Sequence, residues 1–249
     1  MQYINFNGTF KESDLNNLRV LPGTPVYGTT STVKSTWKEV VHSEDEKIVC
    51  YFDHIKDHLI LHIHKADCII GCVAWLTSKD VLTAMQGKLV SIIVQKEDFL
   101  RPDECESTNS TKEIQKLYRQ LTPVRRDQLP STALDYSAMG DLTWSKEGSI
   151  RCVGHCSGRK GPSPRMHHKF VIFCRRQGSK MIPYSVWTGS FNFSETATKC
   201  AENAIVLSDK NLVEGYVQEY GSMAAISEPL NWTSPYCAPQ HHIGVTRHH

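Results

Sequence analysis

The chain of 249 residues is long enough for one sizeable α/β domain or two small ones. Its contents of 40% hydrophobic and 22% charged residues are ordinary for a globular protein. A net charge of +2 argues against a protein that holds polyanions through a generally basic surface, so any recognition of phosphate has to be local.

The first residues, MQYINFNGTFKESD, lack the basic region and apolar run of a signal peptide. The longest apolar stretch, Cys68 to Leu76, is about half as long as a membrane helix needs to be. None of the nine cysteines forms a CxxC pair, which favours reduced and mostly buried thiols. We therefore expect a cytoplasmic protein with no membrane partner.

The first clear elements form a βαβ unit. Apolar residues at helical spacing predict a helix from Ile55 to Ala66, and the apolar run 68–75 that follows is typical of a central strand. A helix over 81–85, capped by Thr77 or Ser78, precedes a second β-rich run at 89–94. A strand, a helix and a strand in this order imply a parallel pair.

The second half alternates similarly. We expect a helix over 114–121 that ends before Pro123 and a final helix over 212–223. The expected strands cover 149–153, 166–174, 183–188 and 204–207, with Arg175 to Gly178 as the turn of a hairpin. These elements predict an α/β fold with a mixed, largely parallel central sheet flanked by helices on both faces.

Polar residues concentrate at two places in this pattern. His167 and Lys169 alternate with apolar residues on one predicted strand, so they point to the same face, where they need a cleft or partners. Gly189-Ser190-Phe191-Asn192 follows the next strand and delivers a hydroxyl and an amide beside the start of a helix. Glu202 then precedes the strand AIVL.

In this order and context, His167-x-Lys169 and Gly189-Ser190-x-Asn192 resemble the signature of the phospholipase D superfamily. The segment TGSFNFSETAT with ENAIVL is most similar to the single-motif dimeric bacterial endonucleases of that superfamily. The resemblance covers roughly residues 50–225 and implies a phospholipase D-like catalytic domain over 49–226. Residues 1–48 would be a lead-in and 227–249 an irregular tail.

The resemblance implies a metal-independent phosphodiesterase without a cofactor. His167 would attack phosphorus, while Lys169, Ser190 and Asn192 would bind the phosphate oxygens and Glu202 would orient an imidazole. A chain with a single motif implies a homodimer in which the His167 residues of both subunits meet.

The implied substrate is a nucleic acid, with DNA favoured over RNA. Arg159, Lys160 and Arg165 precede the strand that carries His167 and could bind flanking phosphates, although a solvated basic loop is an equal reading. A lipid or small-molecule phosphodiesterase stays open as an alternative.

One position departs from the family pattern. The aspartate expected after four further residues is Cys174, which strand alternation places on the face opposite Lys169 unless a bulge intervenes. It weakens the match and leaves open a catalytically silent relative that only binds nucleic acid.

Two clusters could suggest zinc instead. His58 and His62 have the i, i+4 spacing of a chelating helix pair, and Cys152, His155 and Cys156 form a second group. Neither has a recognisable four-ligand spacing, so we expect no metal site.

Overall fold

The structure is a computed structural model. It describes residues 14–18, 23, 30–32, 37–96, 109–133, 148–154 and 165–230.

Among these described residues, ten strands form one sheet in the order β1-β2-β9-β8-β7-β3-β4-β6-β10, with β5 paired to β4 beside this path. The strands are β1 Val40–His42, β2 Ile48–Tyr51, β3 Cys68–Val73, β4 Leu89–Gln95, β5 Thr122–Pro123, β6 Ile150–Val153, β7 Lys169–Gln177, β8 Lys180–Gly189, β9 Ala204–Leu207 and β10 Glu228–Pro229.

The expectation of a largely parallel sheet is wrong. The predicted βαβ unit is present, because β3 and β4 pair in parallel, and β4 also pairs in parallel with β5 and β6. The other six pairs are antiparallel. The difference arises because β7 and β8 form a long hairpin, which β9 extends on one side and to which β3 pairs on the other.

Helices cover both faces of the sheet, as predicted. Helices α1 Ile55–Lys65, α2 Lys79–Ala84 and α3 Asn109–Gln120 contribute apolar residues to the core of one face. Helix α4 Lys210–Ile226 packs on the other face through Val213, Val217, Tyr220 and Ala224. In the described part of the chain, no helix has the length and apolar character needed to cross a bilayer.

The hairpin differs from its predicted form. Arg175 and Arg176 belong to β7, and the turn consists of Gly178 and Ser179, where Gly178 adopts a φ of 61° that favours glycine. At the other end, β7 begins at Lys169, so His167 lies just before the strand. The sheet also extends beyond the expected limits of the central domain, through β1 at one edge and β10 at the other.

Two of the three histidines of α1, His58 and His62, have separate hydrogen-bond partners. His58 Nε2 lies 3.0 Å from Glu39 Oε1, whereas His62 Nε2 lies 3.0 Å from the Tyr51 hydroxyl. The His62 ring stacks on Phe173. Among the described residues, no group of three or more His, Cys, Asp and Glu side chains is placed to hold a metal ion.

The burial of His62 makes the fold sensitive to acid. Desolvation, aided by the charges of Lys65 and His58, lowers the pKa of His62 to about 4 from an ordinary value of 6.5. Below pH 6.5 the unfolded chain therefore binds a proton that the folded chain does not bind. Stability is full above that pH and decreases as the pH falls towards about 4.

We expect His62→Phe to remove this sensitivity. From pH 7 to pH 5 the wild-type free energy of unfolding should fall by about 2 kcal/mol more than that of the variant. The reason is that only the wild type carries an imidazole whose pKa is lowered by folding. Urea unfolding at both pH values measures this difference. His64→Ala, at an exposed position of the same helix, is the control and should keep the wild-type pH dependence. Equal pH dependence in wild type and His62→Phe would contradict the assignment.

Candidate active site

The predicted site residues lie where the ends of four neighbouring strands meet. Because β7 is antiparallel to both β3 and β8, its first residue lies beside their last residues: Lys169 is opposite Val73 of β3. Gly189 at the end of β8 is in turn opposite Ala204, the first residue of β9. The segments before β7, after β8 and before β9 therefore come to the same edge of the sheet.

His167 and Lys169 are in direct contact there. The ammonium of Lys169 lies 3.1 Å from His167 Nδ1, 3.2 Å from Nε2 and 2.9 Å from the His167 carbonyl oxygen. His167 is exposed, while Lys169 keeps only 9% of its surface exposed. The arrangement presents an accessible imidazole with a cation buried beside it.

The surroundings favour a neutral imidazole. Desolvation, followed by the positive charges of Lys169, Arg165 and His168, lowers the pKa of His167. Desolvation also lowers the pKa of Lys169, and the charge of Glu202 opposes that shift. At neutral pH, His167 thus has a free nitrogen lone pair, as a nucleophile requires.

Trp75 is a member of the cluster that the sequence did not reveal. Its indole meets the His167 ring at 79°, with 5.2 Å between the ring centres. The Lys169 ammonium lies over the same indole, 5.8 Å from its centre. Trp75 comes just after β3, so only the pairing of β3 with β7 could have signalled its position.

Ser190 and Glu202 are joined by a hydrogen bond from the serine hydroxyl to the carboxylate. The backbone N–H of Asn203 donates to Ser190 Oγ at 3.0 Å, which fixes the hydroxyl oxygen. Within the described residues, Glu202 accepts from Ser190 and not from His167. The role expected for Glu202, the orientation of an imidazole, thus remains a prediction.

The loop after Ser190 is tied to the end of β3. The N–H groups of Thr77 and Ser78 both donate to the Phe193 carbonyl oxygen at 2.8 Å. In the same loop, Asn192 Oδ1 is buried and has no hydrogen-bond partner among the described residues. A buried amide atom without a partner is costly, and a bound polar ligand would supply one.

The backbone before β7 is held from two neighbouring strands. Gln95, at the end of β4, accepts a hydrogen bond from the Met166 N–H at 2.7 Å. The Ala74 N–H donates to the His168 carbonyl oxygen at 2.8 Å. These bonds bracket His167 and set its backbone relative to the sheet. Sequence analysis did not identify Gln95, because its place at the end of an apolar strand gives no sign of this role.

The basic residues expected to bind flanking phosphates are only partly placed. Arg165 is exposed and close enough to lower the pKa of His167. Arg159 and Lys160 lie outside the described residues.

Cys174 lies away from this cluster. It is fully buried with Phe170 and Ile172 on the α4 face, whereas Val171 and Phe173 face the opposite core. The shift in register between β7 and β8 at this point skips Tyr184 of β8, so alternation along β7 is intact. Cys174 sits opposite Cys68 of β3, and burial and this neighbour raise the pKa of its thiol.

The fold and this cluster define an α/β protein that gathers polar side chains at the strand ends of one mixed sheet. The chain is 32% identical over 204 residues to uncharacterized protein L381 of Acanthamoeba polyphaga mimivirus. The match covers 78% of this chain and 71% of L381. It belongs to the same protein family as L381. It matches no established family profile.

Two solved structures are similar over most of their length. NucT from Helicobacter pylori has a TM-score of 0.48 at 14% identity, over 74% of this chain and 99% of NucT. Nuc from Salmonella typhimurium, a phospholipase D family member, has a TM-score of 0.44 at 17% identity, over 74% of this chain and 97% of Nuc. Both TM-scores lie below 0.5, so the inference of function rests on the residues of the chain itself.

We expect Gly189→Ala to disrupt the site. A Cβ atom at Gly189 would lie 2.3 Å from the Asn203 carbonyl oxygen, which would push β9 and Glu202 away from Ser190. The free energy of unfolding should fall by about 2 kcal/mol. Gly215→Ala is the control, since a Cβ in that helix meets no atom within 4 Å, and it should stabilise by about 0.5–1 kcal/mol. Equal stability of the two variants in thermal unfolding would refute the close approach.

We expect Cys174→Ala to cost stability and not function. Its thiol is enclosed on the face opposite Lys169, so its removal should lower the free energy of unfolding by about 1 kcal/mol. Whatever activity or ligand binding the protein has should be kept, whereas Lys169→Ala on the same strand should abolish it. Thermal unfolding and the assay proposed below measure both effects. Loss of activity in folded Cys174→Ala would show that this position takes part in the chemistry.

Proposed function

We propose that this chain is a metal-independent phosphodiesterase of the phospholipase D type, and specifically a nuclease that cleaves DNA in preference to RNA. One observation carries the proposal: the accessible imidazole of His167 contacts the buried ammonium of Lys169 at the strand ends. Desolvation and the charge of Lys169 lower the pKa of this imidazole. Ser190 and Asn192 follow the neighbouring strand at the same edge.

The first step is an attack of a His167 nitrogen on the phosphorus of a diester. An N–P bond forms as the P–O bond to the leaving group breaks, and a second imidazolium gives its proton to the departing oxygen. In the second step that imidazole takes a proton from water. The resulting oxygen nucleophile breaks the N–P bond and releases a phosphomonoester.

Hydrogen-bond donors of the chain stabilise the negative charge on the phosphate oxygens. Lys169 supplies a full positive charge in a partly desolvated place, where electrostatic stabilisation is stronger than in water. Ser190 and Asn192 add a hydroxyl and an amide. For Ser190, the hydrogen bond from the Asn203 N–H holds the oxygen while its proton turns from Glu202 to the substrate.

The mechanism requires a second imidazole. His168 does not provide it, because its Nε2 lies 2.9 Å from Glu219 of α4, a helix on the opposite face of the sheet. We propose that the His167 residue of a second copy completes the site, so that the active form is a homodimer.

A nucleic acid is proposed as substrate because basic residues precede β7. Arg165 lies near His167, and Arg159 and Lys160 belong to the same sequence segment. Such side chains bind flanking phosphates without reading bases.

The test is cleavage of labelled single- and double-stranded DNA and RNA in excess EDTA. We expect the wild type to cleave DNA and to form a covalent phosphohistidine that survives an alkaline quench. His167→Ala should do neither, because the nucleophile is absent. His168→Ala, whose side chain lies on the other face, should keep most of the activity and is the matched control.

A mixing series with the same variant tests the dimer. When wild type is unfolded and refolded with His167→Ala, activity should fall as the square of the wild-type fraction, since each site needs both imidazoles. A linear decrease would contradict the shared site. Binding of DNA without cleavage and without a phosphohistidine would indicate a catalytically silent relative that only binds nucleic acid. Turnover of lipid or small diesters alone would show that the substrate is not a nucleic acid.

A further inference from the structure

We propose that Trp75 is a positioning residue that holds His167 and Lys169 together in the geometry needed for reaction. The catalytic part of this inference rests on the proposed function. The structural part, that the indole orders the imidazole, does not.

The indole of Trp75 contacts both His167 and Lys169. Its indole lies 5.2 Å from the His167 ring and 5.8 Å from the Lys169 ammonium, measured from ring centres. The preceding residue ties it to the sheet on both sides. The Ala74 N–H donates to His168, and the Ala74 carbonyl oxygen accepts from the Gln95 N–H at 3.3 Å.

Both side chains need such a constraint. His167 is exposed and precedes the regular strand, and Lys169 has a long flexible stem that loses considerable rotamer freedom when ordered. Glu202 is engaged by Ser190. The rigid indole therefore limits the rotation of the imidazole.

The indole also suits the charges that arise during the reaction. Attack on phosphorus converts the neutral imidazole into a cationic phosphoimidazolium next to the Lys169 ammonium. The face of an aromatic ring carries negative electrostatic potential, which attracts an ammonium held over it. The ring thus holds the Lys169 ammonium in place beside the phosphoimidazolium.

Trp75 also contributes to the partial desolvation of the pair, because its indole contacts the His167 ring and the Lys169 ammonium. The charged and titratable groups around His167 are Lys169, Arg165 and His168, and Glu202 acts on Lys169. Desolvation is the largest influence on both groups and lowers the pKa of each. Removal of the indole would admit water, so both pKa values should rise towards their ordinary range.

The experiment compares Trp75→Leu and Trp75→Phe with the wild type. Tyr184→Leu is the control, since Tyr184 is a half-buried aromatic residue of β8 beside Phe173 and away from the strand ends. We expect Trp75→Leu to lower kcat by about 10- to 100-fold with KM little changed, because orientation and not binding is lost. Trp75→Phe keeps a ring and should retain most of the activity. Tyr184→Leu should keep kcat.

Two readouts separate positioning from a general structural effect. The acid limb of the pH profile of kcat/KM should move to higher pH in Trp75→Leu. The His167 imidazole resonances, assigned by comparison with His167→Ala, should titrate at higher pH in Trp75→Leu and close to wild type in Trp75→Phe.

Unchanged titration of His167 in folded Trp75→Leu would overturn the proposal, whether or not the protein is a nuclease. Equal loss of kcat in Trp75→Leu and in Tyr184→Leu would overturn it as well, because the effect would then follow general packing. If the wild type cleaves nothing, the proposed function fails, and the titration of His167 still decides whether Trp75 orders the imidazole.

Discussion

The antiparallel pairing of β3 with β7 is the constraint on which this structure depends. All of β3 and the first six residues of β7 are buried at the centre of the sheet, and their register runs from Cys68 opposite Cys174 to Val73 opposite Lys169. Two buried strands must pair, since unpaired backbone groups without water are costly. The pairing sets where both strands end, and so brings Trp75 next to the residues that begin β7.

This arrangement solves an electrostatic problem. An ammonium is expensive to bury, and Lys169 is tolerated because it lies at a strand end, over an indole and within the field of Glu202. The same partial desolvation that costs stability keeps His167 neutral. The cluster therefore places an imidazole of lowered pKa and a buried cation only two positions apart.

Local patterns identified much of this fold. The periodicity from Ile55 and the apolar run from Cys68 predicted α1 and β3 close to their observed limits, and the alternation around Lys169 predicted β7 three residues too early at both ends. The pattern of apolar side chains in these elements indicated which of their faces are buried. The motif at Ser190 indicated one end of the sheet. Pairing was less accessible, because it depends on contacts between distant parts of the chain. A local βαβ unit suggested a parallel sheet, whereas the long β7–β8 hairpin makes most neighbours antiparallel.

The residues that sequence analysis missed follow from the same limit. Nothing in the neighbourhood of Trp75 or Gln95 marks them as part of a polar cluster, because their partners begin at Met166. Cys174 was placed on the far face by alternation alone, since that argument needs only the strand that carries it.

The pairing also has a consequence for synthesis on the ribosome. Roughly 100 residues separate β3 from β7, and β9 must emerge later still to place Glu202 beside Ser190. An unfinished chain that ends before Glu202 holds His167, Lys169 and Trp75 but lacks the carboxylate that accepts from Ser190. The cluster is therefore assembled only after the chain has been made as far as β9, and a translation product that stops earlier would lack the carboxylate of Glu202.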